Sequence, residues 1–209
     1  MSLTVSGHPV ARVALSHLRD RDTSSEVFRR EMHRLSLILA VDTMRYLTTT
    51  PTDVDTPLAK TIGYRLTGQQ ALVPIMRAGS GMLSAFLEFL PGAIIWHMFM
   101  SRNEKTLQPE FHGSKVPERI PESIQNVFVL DPMLATGGSA ACAIDVLKRA
   151  GAKNIVFVGI LGAPEGADRL LREHPDVPII VGAMDEHLND VGYILPGLGD
   201  AGDRLFPTV

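Results

Sequence analysis

Cysteine is nearly absent from this sequence, since Cys142 is the only one among 209 residues. A disulfide within the chain is therefore excluded, which favours a reducing compartment and leads us to expect a cytoplasmic protein. The seven histidines form neither a His-x-His nor a His-Glu-x-x-His pattern, which argues against a structural or catalytic zinc site. Cys142 falls on a predicted helix, where filling the core is a more typical role than acting as a nucleophile.

Long apolar runs and an excess of basic charge are also missing. The most apolar stretch, residues 93–100, contains His97 and is far too short to span a bilayer. The first ten residues lack the basic-then-apolar pattern of a secretion signal. A net charge of -3 and a pI near 6.1 offer no global attraction for nucleic acid. We therefore expect no membrane or nucleic-acid partner, and any anionic substrate must be bound by local arginines and backbone N–H groups.

The pattern of apolar residues predicts a single α/β domain, which suits the chain length. Strands are predicted at residues 71–76, 93–100, 127–130, 155–161 and 177–184, and helical patterns lie between most of them. Such alternation favours a mostly parallel sheet flanked by helices. We divide the chain into an N-terminal helical portion at 8–47, an α/β core at 71–184 and a C-terminal segment at 185–209.

The N-terminal portion is predicted to contain a long amphipathic helix. Thr23 and Glu26 have the spacing of a capping box, and the apolar positions that follow continue at helical spacing towards Leu47. Glu31 and its neighbouring arginines are expected on the solvated face. Residues 48–57 are rich in Thr, Pro and Asp, which is typical of a connection, and a short strand is expected near 64–66.

The most informative stretch joins a buried strand to a helix through Asp131 and a turn rich in Gly, Thr and Ser. The turn is Pro132, Met133, Leu134, Ala135, Thr136, Gly137, Gly138 and Ser139. Backbone N–H groups and hydroxyls at a helix start suit an anion such as phosphate. A bare Gly-Gly turn is often an ordinary strand-to-helix connection, but an acid at the strand end and the flanking hydroxyls favour a ligand site. No lysine follows the glycines, so the stretch is not a Walker P-loop.

Three other places carry candidate binding residues. Arg77 follows a strand beside Gly79-x-Gly81, where the missing third glycine excludes a dinucleotide fingerprint and a second anion site is favoured. Arg102 also follows a strand, although from the residues alone a surface ion pair is the favoured explanation for it. Residues 192–206 interleave glycines with apolar side chains, which suggests packing together with exposed backbone donors and acceptors that suit a pyrimidine edge. The alternative is a glycine-rich segment that only packs.

The motif Asp131-Pro-Met-Leu-Ala-Thr-Gly-Gly-Ser139 resembles the phosphoribosyl diphosphate (PRPP) motif of the uracil phosphoribosyltransferases. Pro132 stands where most phosphoribosyltransferases carry a second acid, which is this family's variant. Residues 73–79, Arg102-Asn-Glu and residues 192–206 are similar to the family's pyrophosphate loop, its PRPP-contacting arginine and its uracil-binding segment. The resemblance covers about residues 8–206. It implies a type I phosphoribosyltransferase fold with a small C-terminal hood, and an enzyme that converts uracil and PRPP to UMP and diphosphate in pyrimidine salvage.

The resemblance also implies roles for individual residues. PRPP would be bound by Arg77, Arg102, residues 131–139 and Asp200. Uracil would meet Ile194, Gly199, Asp200 and Ala201. Asp131, Asp200 and Arg102 would act in catalysis, with Mg²⁺ held through PRPP oxygens and Asp200 nearby. The family further implies a homodimer or homotetramer, with the N-terminal helical region at the dimer contact, and GTP as an activator in some relatives.

One segment departs from the family pattern. Residues 103–126 are polar and match the position of a flexible lid, but residues 108–115 replace the usual aromatic-x-x-Lys arrangement. The residues do not identify a general base, for which Asp200 is the nearest candidate. A non-catalytic PRPP or uracil sensor on the same fold remains an alternative, because fold alone does not separate it from an enzyme. The net charge disfavours an RNA-binding regulator.

Overall fold

The structure is a computed structural model that describes residues 2–102 and 109–208, and within them it is built on a twisted central sheet. The strands of this sheet are β1 (Leu3–Val5), β4 (Gln69–Met76), β5 (Ile94–Ile95), β6 (Met98–Arg102), β7 (Pro109–Ser114), β8 (Ile124–Leu130), β9 (Met133–Leu134), β10 (Ile155–Gly162) and β11 (Ile179–Met184). Its order is β1-β11-β10-β8-β4-β6-β7, with β5 beside β4 and β9 beside β10. The described pairs are parallel apart from β6 with β7. The predicted α/β class with a mostly parallel sheet is confirmed.

The sheet separates two apolar cores because alternate residues of its central strands point to opposite faces. In β8, Phe128 and Leu130 enter one core while Val127 and Val129 enter the other. The first core is closed by helices α1 (Pro9–Arg19), α2 (Ser25–Met44) and α3 (Ser80–Phe89), and the second by α4 (Gly138–Arg149) and α5 (Pro164–Glu173). Continuous apolar strands covered on both faces are typical of parallel sheets.

The N-terminal helical portion contains two helices, and two details differ from prediction. Ser24, not Thr23, caps α2, because its hydroxyl accepts from the N–H of Val27 at 3.4 Å while the Thr23 hydroxyl donates to the carbonyl of His17. The expectation that Glu31 is solvated was wrong, since its side chain is only 3% exposed. Glu31 faces His17 of α1 at 3.6 Å, so the packing of α1 onto α2 buries it.

The prediction that residues 48–57 form a simple connection was also wrong. Strands β2 (Thr49–Asp55) and β3 (Lys60–Leu66) form an antiparallel hairpin from Thr49 opposite Leu66 to Asp55 opposite Lys60. Its strands are largely exposed, and β2 lacks the apolar alternation that identifies a half-buried strand. The predicted strand at 93–100 is divided into β5 and β6, both of which pair with β4.

The C-terminal segment folds over the carboxyl edge of the sheet. It consists of the short strands β12 (His187–Leu188) and β13 (Ile194–Leu195), which pair with each other, and the short helix α6 (Ala201–Leu205). Among the described residues, no helix is both long enough and apolar enough to cross a membrane.

Candidate functional site

A cavity of about 510 Å³ opens at the carboxyl end of the parallel sheet, where α/β folds place their ligands. Three stretches that lie far apart in sequence meet around it: the turn after β4, the turn between β8 and α4, and the segment that leads into α6. The predicted site residues that line it are Arg77, Asp131, Met133, Leu134, Ala135, Thr136, Gly137, Gly138, Ser139, Ile194, Gly199, Asp200 and Ala201. The sequence therefore identified stretches that the fold brings together.

The turn between β8 and α4 has the shape of an anion cradle. Gly137 caps α4 with a φ of +74°, a left-handed conformation that side chains other than glycine rarely adopt. The hydroxyl of Thr136 accepts from the N–H of Gly138 at 3.3 Å, which fixes the turn and leaves the hydroxyl proton free to donate. The first N–H groups of an α-helix have no partner inside the helix, and here they border the cavity.

Asp131 lies at the base of the cavity, directly after β8. Burial disfavours the charged carboxylate and raises its pKa to about 7, although the N–H of Met133, 3.5 Å away, acts in the opposite direction. A carboxyl group with this pKa changes charge near neutral pH, which is a common property of functional sites.

Arg77 enters the cavity from the turn after β4, where the peptide bond between Met76 and Arg77 is cis. Its Nη2 donates to Oδ1 of Asp203 at 2.6 Å, and both side chains are more than half exposed. Asp203 in turn donates its N–H to Oδ1 of Asp200 at 2.9 Å, so Asp200 caps α6. Arg77, Asp200 and Asp203 thus form one polar rim. Among the described residues, no group of three or more candidate ligands forms a ready-made metal site.

The C-terminal stretch supplies the opposite wall through backbone rather than charge. Gly197 and Gly199 have φ values of +65° and +80°, and the peptide between Leu195 and Pro196 is cis. Ile194 and Ala201 are buried and line the cavity. Such a wall can present alternating N–H and C=O groups to the edge of a planar heterocycle.

One predicted site residue falls outside this arrangement, and the side chain of another lies outside the described part of the chain. Pro132 is buried and does not line the cavity, because its carbonyl accepts from the N–H groups of Ile160 and Leu161, both at 2.9 Å. The backbone of Arg102 ends β6, but its side chain lies outside the described part of the chain, as do residues 103–108 of the predicted lid. The other lid residues, Phe111 and Lys115, lie in and after β7, and Phe111 is exposed.

Sequence reasoning missed several residues that line the cavity. Ser101 precedes Arg102 at the same strand end, so the strand-end signal that selected the arginine would also have found it. Asp203 pairs with Arg77 across two distant stretches of sequence, and such a contact leaves no local signal. Cys142, as expected, is not among the lining residues, and burial raises the pKa of its thiol, which opposes a nucleophilic role.

Comparison with known proteins agrees with this geometry. The sequence model of the family described as uracil phosphoribosyltransferase matches residues 5–208. A protein of Streptococcus equi subsp. zooepidemicus named uracil phosphoribosyltransferase is 48% identical over 205 residues, which is 98% of this chain and 97% of that protein. One of the same name from Acholeplasma laidlawii is 46% identical over 206 residues, covering 99% of this chain and 98% of the relative.

Solved structures show the same architecture. A protein from Aquifex aeolicus superposes with a TM-score of 0.90 at 35% identity, over 99% of this chain and 98% of its own. A hypoxanthine phosphoribosyltransferase from Staphylococcus aureus superposes with a TM-score of 0.53 at 12% identity, over 84% and 82% of the two chains, which shows a shared fold alone. The match of the family model and the near full-length identity are decisive: the chain belongs to the uracil phosphoribosyltransferase family.

Proposed function

We propose that the protein transfers the 5-phosphoribosyl group of PRPP to N1 of uracil and releases UMP and diphosphate, a step of pyrimidine salvage. The observation that carries this proposal is the convergence of the Arg77 turn, residues 131–139 and residues 194–203 on one cavity. Each segment has the chemistry that one part of the two substrates requires. Membership of the family supports the same reaction.

The turn after Asp131 would bind the 5′-phosphate. The N–H groups of residues 135–139 lie at the positive end of α4, and Thr136 and Ser139 add hydroxyl donors. The left-handed Gly137 lets the backbone approach the ligand closely. These contacts hold the same anion before and after transfer, so they fix its position and leave the chemistry to other groups.

The ribosyl carbon is the reacting centre. As the bond from C1′ to diphosphate breaks, the diphosphate takes the bonding electrons, positive charge develops on the ribose ring, and N1 of uracil forms the new bond. Asp131 would accept hydrogen bonds from the ribose hydroxyls and stabilise this positive charge through its carboxylate. Since burial raises its pKa to about 7, this role predicts that PRPP binding favours the ionised form.

Arg77 and Arg102 would bind the diphosphate, because a guanidinium offers two parallel donors to phosphate oxygens. The ion pair of Arg77 with Asp203 is exposed, and such pairs contribute about 0–1 kcal/mol, so a diphosphate can replace the carboxylate at low cost.

Magnesium fits the donor chemistry of this rim. It usually binds through one or two carboxylates, water and substrate phosphates rather than in a protein cage, and the cavity edge offers Asp200 and Asp203. When bound with PRPP, Mg²⁺ would neutralise charge on the departing diphosphate.

Uracil would lie against residues 194–201, with its polar edge on backbone groups of Ile194, Gly199 and Ala201. This orientation would direct N1 towards the ribosyl carbon. The proton that leaves N1 needs an acceptor, and Asp200 is the carboxylate within residues 194–201.

We also propose a homodimer or larger homo-oligomer. The β2–β3 hairpin exposes Leu58, Ile62 and Tyr64, and a second copy of the chain would cover these side chains. A cytoplasmic location and activation by GTP are further proposals that come from the single cysteine and the family. Measuring turnover with and without GTP tests the second.

The test is UMP formation from uracil, PRPP and Mg²⁺, with cytosine, hypoxanthine and orotate in parallel. We expect turnover with uracil alone and its loss in Asp200→Asn. Turnover of another base instead would contradict the assigned substrate. Binding of PRPP or uracil without turnover of any base would favour a sensor.

A further inference from the structure

The C-terminal segment that faces the cavity is fixed from behind by the N-terminal helices. Gly197 lies at its tightest point, where a Cβ would come within 2.1 Å of the carbonyl oxygen of Ile194. Residues 194–197 therefore form a closed turn immediately before the lining residues Gly199, Asp200 and Ala201. Any group that fixes the position of the Gly197 peptide therefore also fixes the position at which these lining residues begin.

Asp185 is the first such group. It follows β11, its N–H donates to the carbonyl of Gly162 at 2.8 Å, and its Oδ2 accepts from the N–H of Gly197 at 2.8 Å. The carboxylate is only 3% exposed. A buried carboxylate needs a cation nearby, because an isolated charge in the interior is unstable.

Arg19 supplies that cation from the last turn of α1. Its two terminal nitrogens bind both oxygens of Asp185, and Nη1 also donates to the carbonyl of Gly197 at 2.8 Å. The N–H and the carbonyl of Gly197 are thus both bound by this one ion pair. The bidentate geometry orients the peptide as well as attracting it.

A second arginine also connects the N-terminal helices with the C-terminal segment, but this arginine belongs to the C-terminal segment. Arg204 of α6 donates through Nη1 to the carbonyls of Leu198, at 2.8 Å, and Leu18, and through Nη2 to the carbonyl of Asp20 at 2.6 Å. Its guanidinium lies 4.3 Å from the ring centre of Phe28 in α2. Consecutive carbonyls of the C-terminal turn are therefore held by two arginines, and neither arginine lines the cavity.

We propose that Arg19 and Asp185 are positioning residues for the nucleobase, acting through the Gly197 peptide to set the backbone groups that read uracil. This inference rests on the proposed function, since it assumes that residues 194–201 meet uracil. It makes base affinity depend on how α1 packs, although α1 contributes no residue to the cavity. Most of the proposed PRPP contacts lie on the β8–α4 turn, Arg77 and Arg102 rather than on residues 194–201, so PRPP binding should be affected much less.

The test uses Arg19→Met, Arg19→Lys, Asp185→Asn and the double variant that combines Arg19→Met with Asp185→Asn. The control is Arg21→Met, which alters a 93% exposed arginine just beyond α1. We expect Arg19→Met and Asp185→Asn each to raise the KM for uracil about tenfold, the scale of a lost positioning contact, and Arg21→Met to leave it unchanged. The KM for PRPP should change less than twofold. Arg19→Lys should restore part of the effect, because lysine keeps the charge but not the two parallel donors.

The double variant separates positioning from stability. Arg19→Met alone leaves the buried carboxylate of Asp185 without its cation and should lower Tm. Adding Asp185→Asn removes that charge and should recover Tm, while the KM for uracil stays high. Hydrogen exchange of the Gly197 amide should accelerate in each variant that lacks Arg19. Equal increases in both KM values, or an unchanged uracil KM in active Arg19→Met, would overturn the inference. Wild-type protein that makes no UMP would instead overturn the proposed function. Unchanged exchange of the Gly197 amide would separately show that Arg19 and Asp185 do not fix the Gly197 peptide.

Discussion

Asp131 is the residue whose charge the fold alters most clearly near neutral pH. Its folded-state pKa of about 7 lies above the ordinary value of 3.8, so the folded protein binds this proton more tightly than the unfolded chain. The associated stability is fully present below about pH 3.8 and is lost as the pH rises through 7. At 1.36 kcal/mol per pH unit, the loss reaches at most about 4 kcal/mol.

We predict that Asp131→Asn, which is neutral at every pH, gains stability relative to the wild type as the pH rises from 5 to 8. Thermal unfolding of both proteins across this pH range measures the difference in stability. The same variant should lose at least about 100-fold in kcat/KM for PRPP, as expected when an electrostatic contact to the reacting centre is removed. In the wild type, kcat/KM for PRPP should rise with pH through about 7. A constant Tm difference between the two proteins would show that the carboxyl is not buried in the way described.

Gly137 offers a second test at the scale of one residue. In Gly137→Ala, the Cβ would lie 2.8 Å from the carbonyl oxygen of Gly166, in a backbone conformation that already disfavours alanine. Relieving this contact must move the turn against α5, so we expect the KM for PRPP to rise about tenfold or more. Steady-state kinetics measures the change.

Gly151→Ala is the matched control. Gly151 also has a positive φ, of +95°, but a Cβ there would meet nothing within 4 Å. It should lower stability by about 1 kcal/mol without changing the KM for PRPP. Similar kinetic effects of both substitutions would exclude the close approach to Gly166 as the cause.

The helix α2 carries much of the first core, with Phe28, Met32, Leu35 and Leu39 on its buried face. We predict that Ser24→Ala destabilises the protein by about 0.5–1 kcal/mol, because it removes the side-chain acceptor for the Val27 N–H. Chemical denaturation measures the difference. Ser25→Ala, at the first helical position, should have a smaller effect. A larger loss of stability in Ser25→Ala than in Ser24→Ala would show that Ser24 does not cap the helix.

Elements with strong local patterns were predictable, and those defined by distant packing were not. The stretch from Val127 to Ser139 combines an apolar strand, a strand-end acid and a glycine turn within thirteen residues, so its structure and its place in the cavity follow from local chemistry. The β2 strand carries Thr, Pro and Asp because little covers it, and this composition gives no periodic apolar signal. Glu31 is buried only because α1 packs over it, which no pattern within α2 encodes.

At the scale of the whole molecule, the hairpin is the feature that most needs a partner. In β3, the side chains of Ile62, Tyr64 and Leu66 alternate onto one face, and all three are exposed. We predict that wild-type protein sediments as a dimer or larger and that Ile62→Ser with Tyr64→Ser weakens this association. Arg65→Ser, on the opposite face of β3, is the control. A wild-type monomer at micromolar concentration would contradict the proposal.

The division into residues 8–47, 71–184 and 185–209 stays a prediction, and the structure supplies a way to test it. Arg19, Arg29 and Arg204 connect the first and last of these portions through main-chain carbonyls. We therefore expect limited proteolysis to leave the two portions associated after a cut in the β2–β3 hairpin. Loss of either portion after such a cut would show that these contacts are weak.

The contact between Arg204 and the carbonyl of Leu18 joins residues that lie 186 positions apart in the sequence. At 5–20 residues per second, α1 leaves the ribosome roughly 10–40 s before the side chain that closes over its end. The turn at residues 131–139 is made in the second half of that interval, and residues 194–203 follow only at its close. Under the proposed function, a chain interrupted before residue 194 would contain every described strand of the central sheet and the proposed phosphate-binding turn, but not the segment proposed to select the base.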